Sequence, residues 1–315
     1  FGVCLLPNNC WKDEYELSLA LYNACAEIAY SNSKFERVKS LVQSVLENAR
    51  CFRDTLRARA SRIYVLSSQY KIPEAVEESL AVLAELGEPL PPNPNTHQVL
   101  FQFMATQRLL KGKTNEIILR MPCMTNSDKI AASQILNLAF PSTYRSRPSL
   151  FALIVLRLVR LTMRYGLSTV SAVGFGFYGS LLCSITGNIG EGDRFGELAL
   201  ALLDKFHAKE WIPRVYLGVF GHAGSYKLPL QEMYPHIEYA QKIAFETGDI
   251  EYATGAANIM CAYIQLSGDT LGLLENKARE FYHFDEFQNH DSLLMMMEII
   301  LQYVHNLTGR NKDPL

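Results

Sequence analysis

The sequence predicts an all-α fold, a solenoid of antiparallel helix pairs, and three observations carry that expectation. Apolar residues recur at helical spacing along most of the 315 residues, and no alternating strand pattern is long enough to build a sheet. One turn-and-helix signature returns several times. Its clearest copy starts at Gly248, with Ile250, Ala253, Ala257 and Met260 two, five, nine and twelve residues on. Those offsets share one helix face, and its small residues let a neighbouring helix approach closely.

The other copies place the elements in order. Trp11 to Arg50 reads as a first helix pair, with Leu17, Leu21, Ala24, Cys25 and Ile28 as its first apolar stripe. Ser33 takes the turn position, and Phe35, Val38, Val42 and Val45 repeat the offsets. From Leu56 to Gly87 Tyr70 holds the turn, followed by Ile72, Ala75, Ser79 and Val82. Pro73 fits the first turn of a helix, where a missing N–H is harmless, and Gly87 fits its end. Gly187 opens the next copy, with Ile189, Gly192, Gly196 and Ala199 at the same offsets. So many small residues there predict the tightest helix contact in the chain, because a helix-interior glycine costs about 1 kcal/mol relative to alanine. Such an array is tetratricopeptide-like: each helix pair must bury its face against the next.

Between the copies, 88–96 is rich in proline and cannot continue a helix. Helices are expected over Val99–Leu110, Asp128–Phe140, capped by Ser127 or Asp128, and Leu150–Met163, started by Pro148. Val215–Gly224 is glycine-rich and ambiguous, and Leu230–Phe245, Glu251–Leu266, Leu271–Tyr282 and Ser292–Leu307 complete the helices. We expect one helical-repeat domain over 1–308, with sub-blocks 1–87 and 97–308 joined by the loop 88–96, and a frayed tail at 309–315. The chain begins at Phe1 rather than Met and reads as a piece of something longer.

Composition narrows the function. Apolar residues make up 49% and charged residues 20%, and the net charge of −2 argues against a surface built for nucleic acid or anionic lipid. Seven cysteines, with no CxxC, read as mostly buried free thiols in a reducing, cytoplasmic setting. The uncharged stretch 170–189 invites a membrane reading. Its many Gly, Ser and Thr residues, and the preceding Arg157, Arg160 and Arg164, favour a buried central helix, so no membrane span is expected.

Chemical motifs are sparse. Gly174–Gly179 spells GxGxxG, but a dinucleotide site needs strands around it and the flanks read as helix, so close helix packing is the better account. The seven histidines include no HExxH and no metal-ligand spacing, and His283, Asp285, Glu286, His290 and Asp291 form a polar cluster between helices. GxSxG, GxxxxGK[ST], HRD and DFG are absent. Met295–Met297 reads as core, and Asn306-Leu-Thr308 fits a glycosylation acceptor that matters only on secretion. Arg157, Arg160 and Arg164 share one helix face, either as a solvated stripe or as a contact for an anion or acidic partner. No catalytic, cofactor or metal residues are expected.

Longer runs carry a resemblance. WKDEYELSLALYNACAEIAY at 11–30, IPEAV at 72–76, LAELGEPLP at 83–91 and MPCM at 121–124 are four of them. AASQIL at 131–136, YGLS at 165–168, YGSLLC at 178–183, FGELAL at 195–200 and TGDIEYA at 247–253, with Ser267-Gly268 behind it, are the others. Together they resemble the helical region of large multidomain signalling proteins, the predicted-ATPase serine/threonine and histidine kinase hybrids. The resemblance implies a tetratricopeptide-like connector without catalytic residues, preceded by kinase and NTPase domains whose motifs this chain lacks. Its partners would be protein surfaces, including adjacent NTPase or kinase domains of the same polypeptide. Beside this non-catalytic scaffold stands an alternative from another class, a ligand-binding or enzymatic all-α domain using the glycine-rich centre at 174–196. A deep pocket there with converging polar groups would support it.

Overall fold

A computed structural model describes residues 2–7, 9–32, 34–284 and 291–310. Ser33, Asp285, Glu286 and His290, together with 311–315 of the expected tail, lie outside the described residues. Every long element among the described residues is a helix. In chain order the first are α1 (Cys10–Asp13), α2 (Tyr15–Ser31), α3 (Phe35–Asn48), α4 (Phe52–Ser68), α5 (Ile72–Glu85) and α6 (Thr96–Leu110). Next come α7 (Asn115–Leu119), α8 (Ser127–Leu138), α9 (Phe140–Ser146), α10 (Pro148–Tyr165), α11 (Ser171–Thr186) and α12 (Ile189–Phe206). The last are α13 (Ile212–Gly218), α14 (Leu230–Thr247), α15 (Ile250–Leu266), α16 (Leu271–Tyr282) and α17 (Asp291–Leu307).

The chain divides into two compact units, 1–111 with 123–166, and 112–122 with 167–315. The proline-rich segment 88–96 lies inside the first. In that unit α2 packs on α3, α3 on α4 and α4 on α5, and α10 packs against α6, α8 and α9. α3 shows why: Val38, Leu41, Val42 and Val45 fall on one face and are all buried. α10 starts at Pro148 and buries nearly every residue from Leu150 to Leu161 except its arginines. In the second unit α11 packs on α12, α14 on α15 and α16 on α17. No helix among the described residues is long and apolar enough to cross a membrane, and 170–189 divides between α11 and the start of α12.

The repeat signature has a concrete backbone meaning. Tyr70, Gly187 and Gly248 all take left-handed conformations, with φ of 57°, 66° and 74°. The residue after each of them, Lys71, Asn188 and Asp249, has φ near −80° and ψ between 59° and 78°. Around Tyr70 and Gly248 the chain closes as a six-residue helix stop, in which Lys71 N–H donates to Leu66 O and Asp249 N–H to Ala244 O. Lys34 N–H donates to Ala29 O in the same way. His207, φ 48°, and Ala208 form a further such turn that no sequence feature announces.

Several local expectations need correction. On α2 Leu17 and Ile28 are exposed, and the buried face is Tyr15, Ser18, Asn23, Ala26 and Ala29. Small side chains there let α3 and α4 close in, which outweighs burial of the larger residues. The cap of α8 is Asn126, whose Oδ1 accepts from the Asp128 and Lys129 amides, rather than Ser127 or Asp128. Met297 is buried, but Met295 and Met296 are exposed. Cys51 and Cys123 are exposed free thiols, unlike the buried Cys10, Cys183 and Cys261. The ambiguous stretch 215–224 folds as the end of α13 followed by a π turn at Val219–Ala223.

Candidate functional site

Two places hold the residues singled out above. The first is the helix contact surface that each repeat turn positions. Five, nine and twelve residues after the turns stand Val38, Val42 and Val45; Ala75, Ser79 and Val82; Gly192, Gly196 and Ala199; and Ala253, Ala257 and Met260. All twelve are buried. The residues two positions after the turns are not: Phe35, Ile72 and Ile250 are half-buried and Ile189 is exposed.

The glycines of α11 and α12 show what the small side chains are for. A Cβ placed on Gly179 would lie 2.5 Å from the Gly192 carbonyl oxygen, and one on Gly192 would overlap the Cys183 sulfur. A Cβ on Gly176 would meet the Ala199 methyl at 3.6 Å, and one on Gly196 would meet Val219 at 3.3 Å. Phe175 stacks on Phe195, and Tyr178 meets Phe195 edge-on with ring centres 4.9 Å apart. Gly174 to Gly179 therefore lie within a helix, with Gly176 and Gly179 facing neighbouring helices; the strands that a dinucleotide site needs are absent among the described residues. Arg214, which the sequence did not single out, fixes the turn at Gly248. Its guanidinium is buried against the Asp249 carboxylate at 2.9 Å and lies 4.6 Å from the centre of the Tyr252 ring.

The second place is the arginine face of α10. Arg157 is engaged within the chain, since Glu88 accepts from its Nη1 and from Lys129 Nζ. Glu88 is placed by the turn at Gly87, φ 73°, where its own N–H donates to Leu83 O. Burial pushes the Glu88 carboxyl pKa up, but the hydrogen bonds from Lys129 and Arg157 outweigh it and the net shift is downward. Arg160 is half-buried and Arg164 exposed, and neither has a carboxylate partner among the described residues. Burial lowers the Arg160 pKa, the charges of Arg164 and Arg157 add to that, and the Glu88 carboxylate opposes it only in part.

Beside this face runs a cleft of about 340 Å³ between 90–95, α6 and α10. Leu90, Pro91, Phe101 and Leu153 form its apolar lining, and Asn95, His97, Gln98, Gln102 and Arg157 its polar one. Next to it on α6, Leu100, Phe101 and Met104 are exposed. The signal for it was the exposed apolar group on α6 following a proline-rich segment, visible only once α10 is known to lie alongside.

No known family profile matches the chain, and no solved structure matches it. Among curated proteins it is similar to the hybrid signal transduction histidine kinase G of Dictyostelium discoideum, at 18% identity over 339 aligned positions. That similarity takes in 96% of this chain but only 9% of the relative, so the chain corresponds to a small part of a much longer protein.

Proposed function

We propose that this chain is a non-catalytic, tetratricopeptide-like scaffold segment that makes protein–protein or interdomain contacts inside a signal-transduction protein of the hybrid kinase class. The observation that carries the proposal is the recurring left-handed turn followed by a buried face of small and apolar residues. That device repeats helix pairs at a fixed geometry, and stacked pairs present an extended surface for a partner. Similarity over nearly the whole chain to one part of a hybrid histidine kinase supports the signalling context. The cytoplasmic setting follows from that context, and adjacent kinase or NTPase domains of the same polypeptide are the first partners to test. The close packing of Gly176, Gly179, Gly192 and Gly196 favours this reading over a ligand pocket at the glycine-rich centre.

The test is made in the full-length protein. The region is replaced by a flexible linker of equal length, and autophosphorylation is compared with that of the unaltered protein. A separate pull-down asks whether the isolated chain captures its flanking domains. A changed output or a direct contact supports a scaffold. Unchanged output together with no captured domain overturns it.

A further inference from the structure

The cleft beside α10 has a charge imbalance that the fold does not resolve. Glu88 pairs with Lys129 and Arg157, and Arg160, one turn along α10, feels its charge but has no ion pair of its own among the described residues. Arg160 stands one helical turn beyond Arg157, which lines the cleft, and Leu153 stands one turn before it on the same side of α10. A half-buried guanidinium with no carboxylate at ion-pair distance among the described residues favours an anion brought from outside. The volume, about 340 Å³, is at the small end for ligand sites and suits one or two side chains rather than a cofactor. Exposed Leu100 and Met104 continue the apolar surface past its mouth, which suits a ligand longer than the cleft. Gln98 uses its Oε1 to accept from the Asn95 amide, leaving its NH₂ and the Gln102 amide to pair with peptide backbone.

We infer that this cleft docks an extended peptide segment carrying an anionic side chain next to a bulky apolar one, the anion on Arg160 and Arg157 and the apolar group between Phe101 and Leu153. This rests on the reading of the chain as an interaction segment and names the kind of partner it takes. The anion is a side-chain carboxylate, whose single negative charge matches the one half-buried guanidinium of this face that has no ion pair among the described residues.

The test is fluorescence anisotropy on the full chain with short labelled peptides of alternating residues: Glu with Leu, phosphoserine with Leu, and Lys with Leu. The expected result is saturable binding of the anionic peptides, weakened by added salt, and none of the lysine peptide. Arg160→Gln should weaken it by about tenfold or more, with Arg160→Lys recovering part of the loss. Gln102→Trp, which fills the cleft without touching a charge, should weaken it independently. Binding of the glutamate peptide at least as tight as that of the phosphoserine peptide supports the inference, and tighter binding of the phosphoserine peptide overturns it, a phosphorylated segment being the occupant instead. No saturable binding, equal binding of the lysine peptide, or affinity unchanged by both Arg160→Gln and Gln102→Trp overturns it. So does inorganic phosphate stabilising the chain as much as the anionic peptides, since the site would then read a free anion. Loss of the peptide site leaves the scaffold proposal standing, because that depends on the output of the full-length protein.

Discussion

Gly179→Ala isolates the contact that holds α11 to α12. The new methyl would sit 2.5 Å from the Gly192 carbonyl oxygen and 3.4 Å from its carbon, so the obstacle is backbone and no side chain can rotate away. Restoring ordinary van der Waals spacing requires the helices to part by about 1 Å. Overpacking of this kind costs about 1–3 kcal/mol, and rigid backbone belongs at the upper end. Alanine returns about 1 kcal/mol of helix propensity. The net loss is about 2 kcal/mol, or a fall of roughly 4–8 °C in melting temperature for a unit of this size. The assay is thermal melting by far-UV circular dichroism, repeated with urea. Gly190→Ala is the control, because its Cβ would have only the Asn188 side chain nearby, at 3.9 Å, and stability should hold or rise. Gly179→Ala as stable as the parent would refute the claim that these glycines are there for close approach.

Three further outcomes follow from the same geometry. Gly248→Ala puts a Cβ into a left-handed turn, φ 74°, and should cost about 1 kcal/mol, whereas Tyr70→Asn at φ 57° should hold or raise stability by up to about 1 kcal/mol; urea midpoints give both signs. Glu88→Gln leaves Lys129 and Arg157 half-buried without their carboxylate and should cost about 2 kcal/mol at neutral pH. Because the folded Glu88 pKa is lowered, its contribution is fully present above the ordinary carboxyl value of 4.5 and is lost as pH falls through the lower folded value, so the two proteins should converge in acid. At neutral pH a thiol reagent should label Cys51 and Cys123 rapidly, but Cys183 and Cys261 only on unfolding, since burial raises both of their pKa values, that of Cys261 to about 12; mass mapping of the labelled peptides checks this.

What sequence pattern can and cannot specify divides along physical lines. Offsets from Tyr70, Gly187 and Gly248 found buried residues because a helix period is a local property, and a left-handed turn restarts it at a known residue. α2 defeated the same logic. It is apolar on several sides, so its stripe of Leu17, Leu21 and Ile28 competed with Ser18, Ala26 and Ala29, and only the neighbours decide which face closes. The Glu88–Arg157 pair spans 69 residues with no periodicity to connect them. Asn126 and Ser127 are both good caps, and the choice between them depends on backbone angles that composition does not encode. The cleft needed two distant helices side by side before its residues could be recognised as a group.

The turns also bear on the proposed scaffold role. A left-handed residue closed by a six-residue hydrogen bond fixes the exit direction of a helix within a narrow range. At Gly248 that geometry is held twice more, by the Asp249 side chain accepting from the Tyr252 amide and by Arg214 against the same carboxylate. Where the helices then meet through glycine and alanine, the interhelical distance is set by backbone rather than by adaptable side chains. Direction and spacing fixed in this way leave the outer faces free to vary, because the exposed side chains carry little of the packing. A surface such as that of α6 and α10 can therefore hold uncompensated charge and exposed apolar groups at modest cost to stability, and those are the properties a docking face requires.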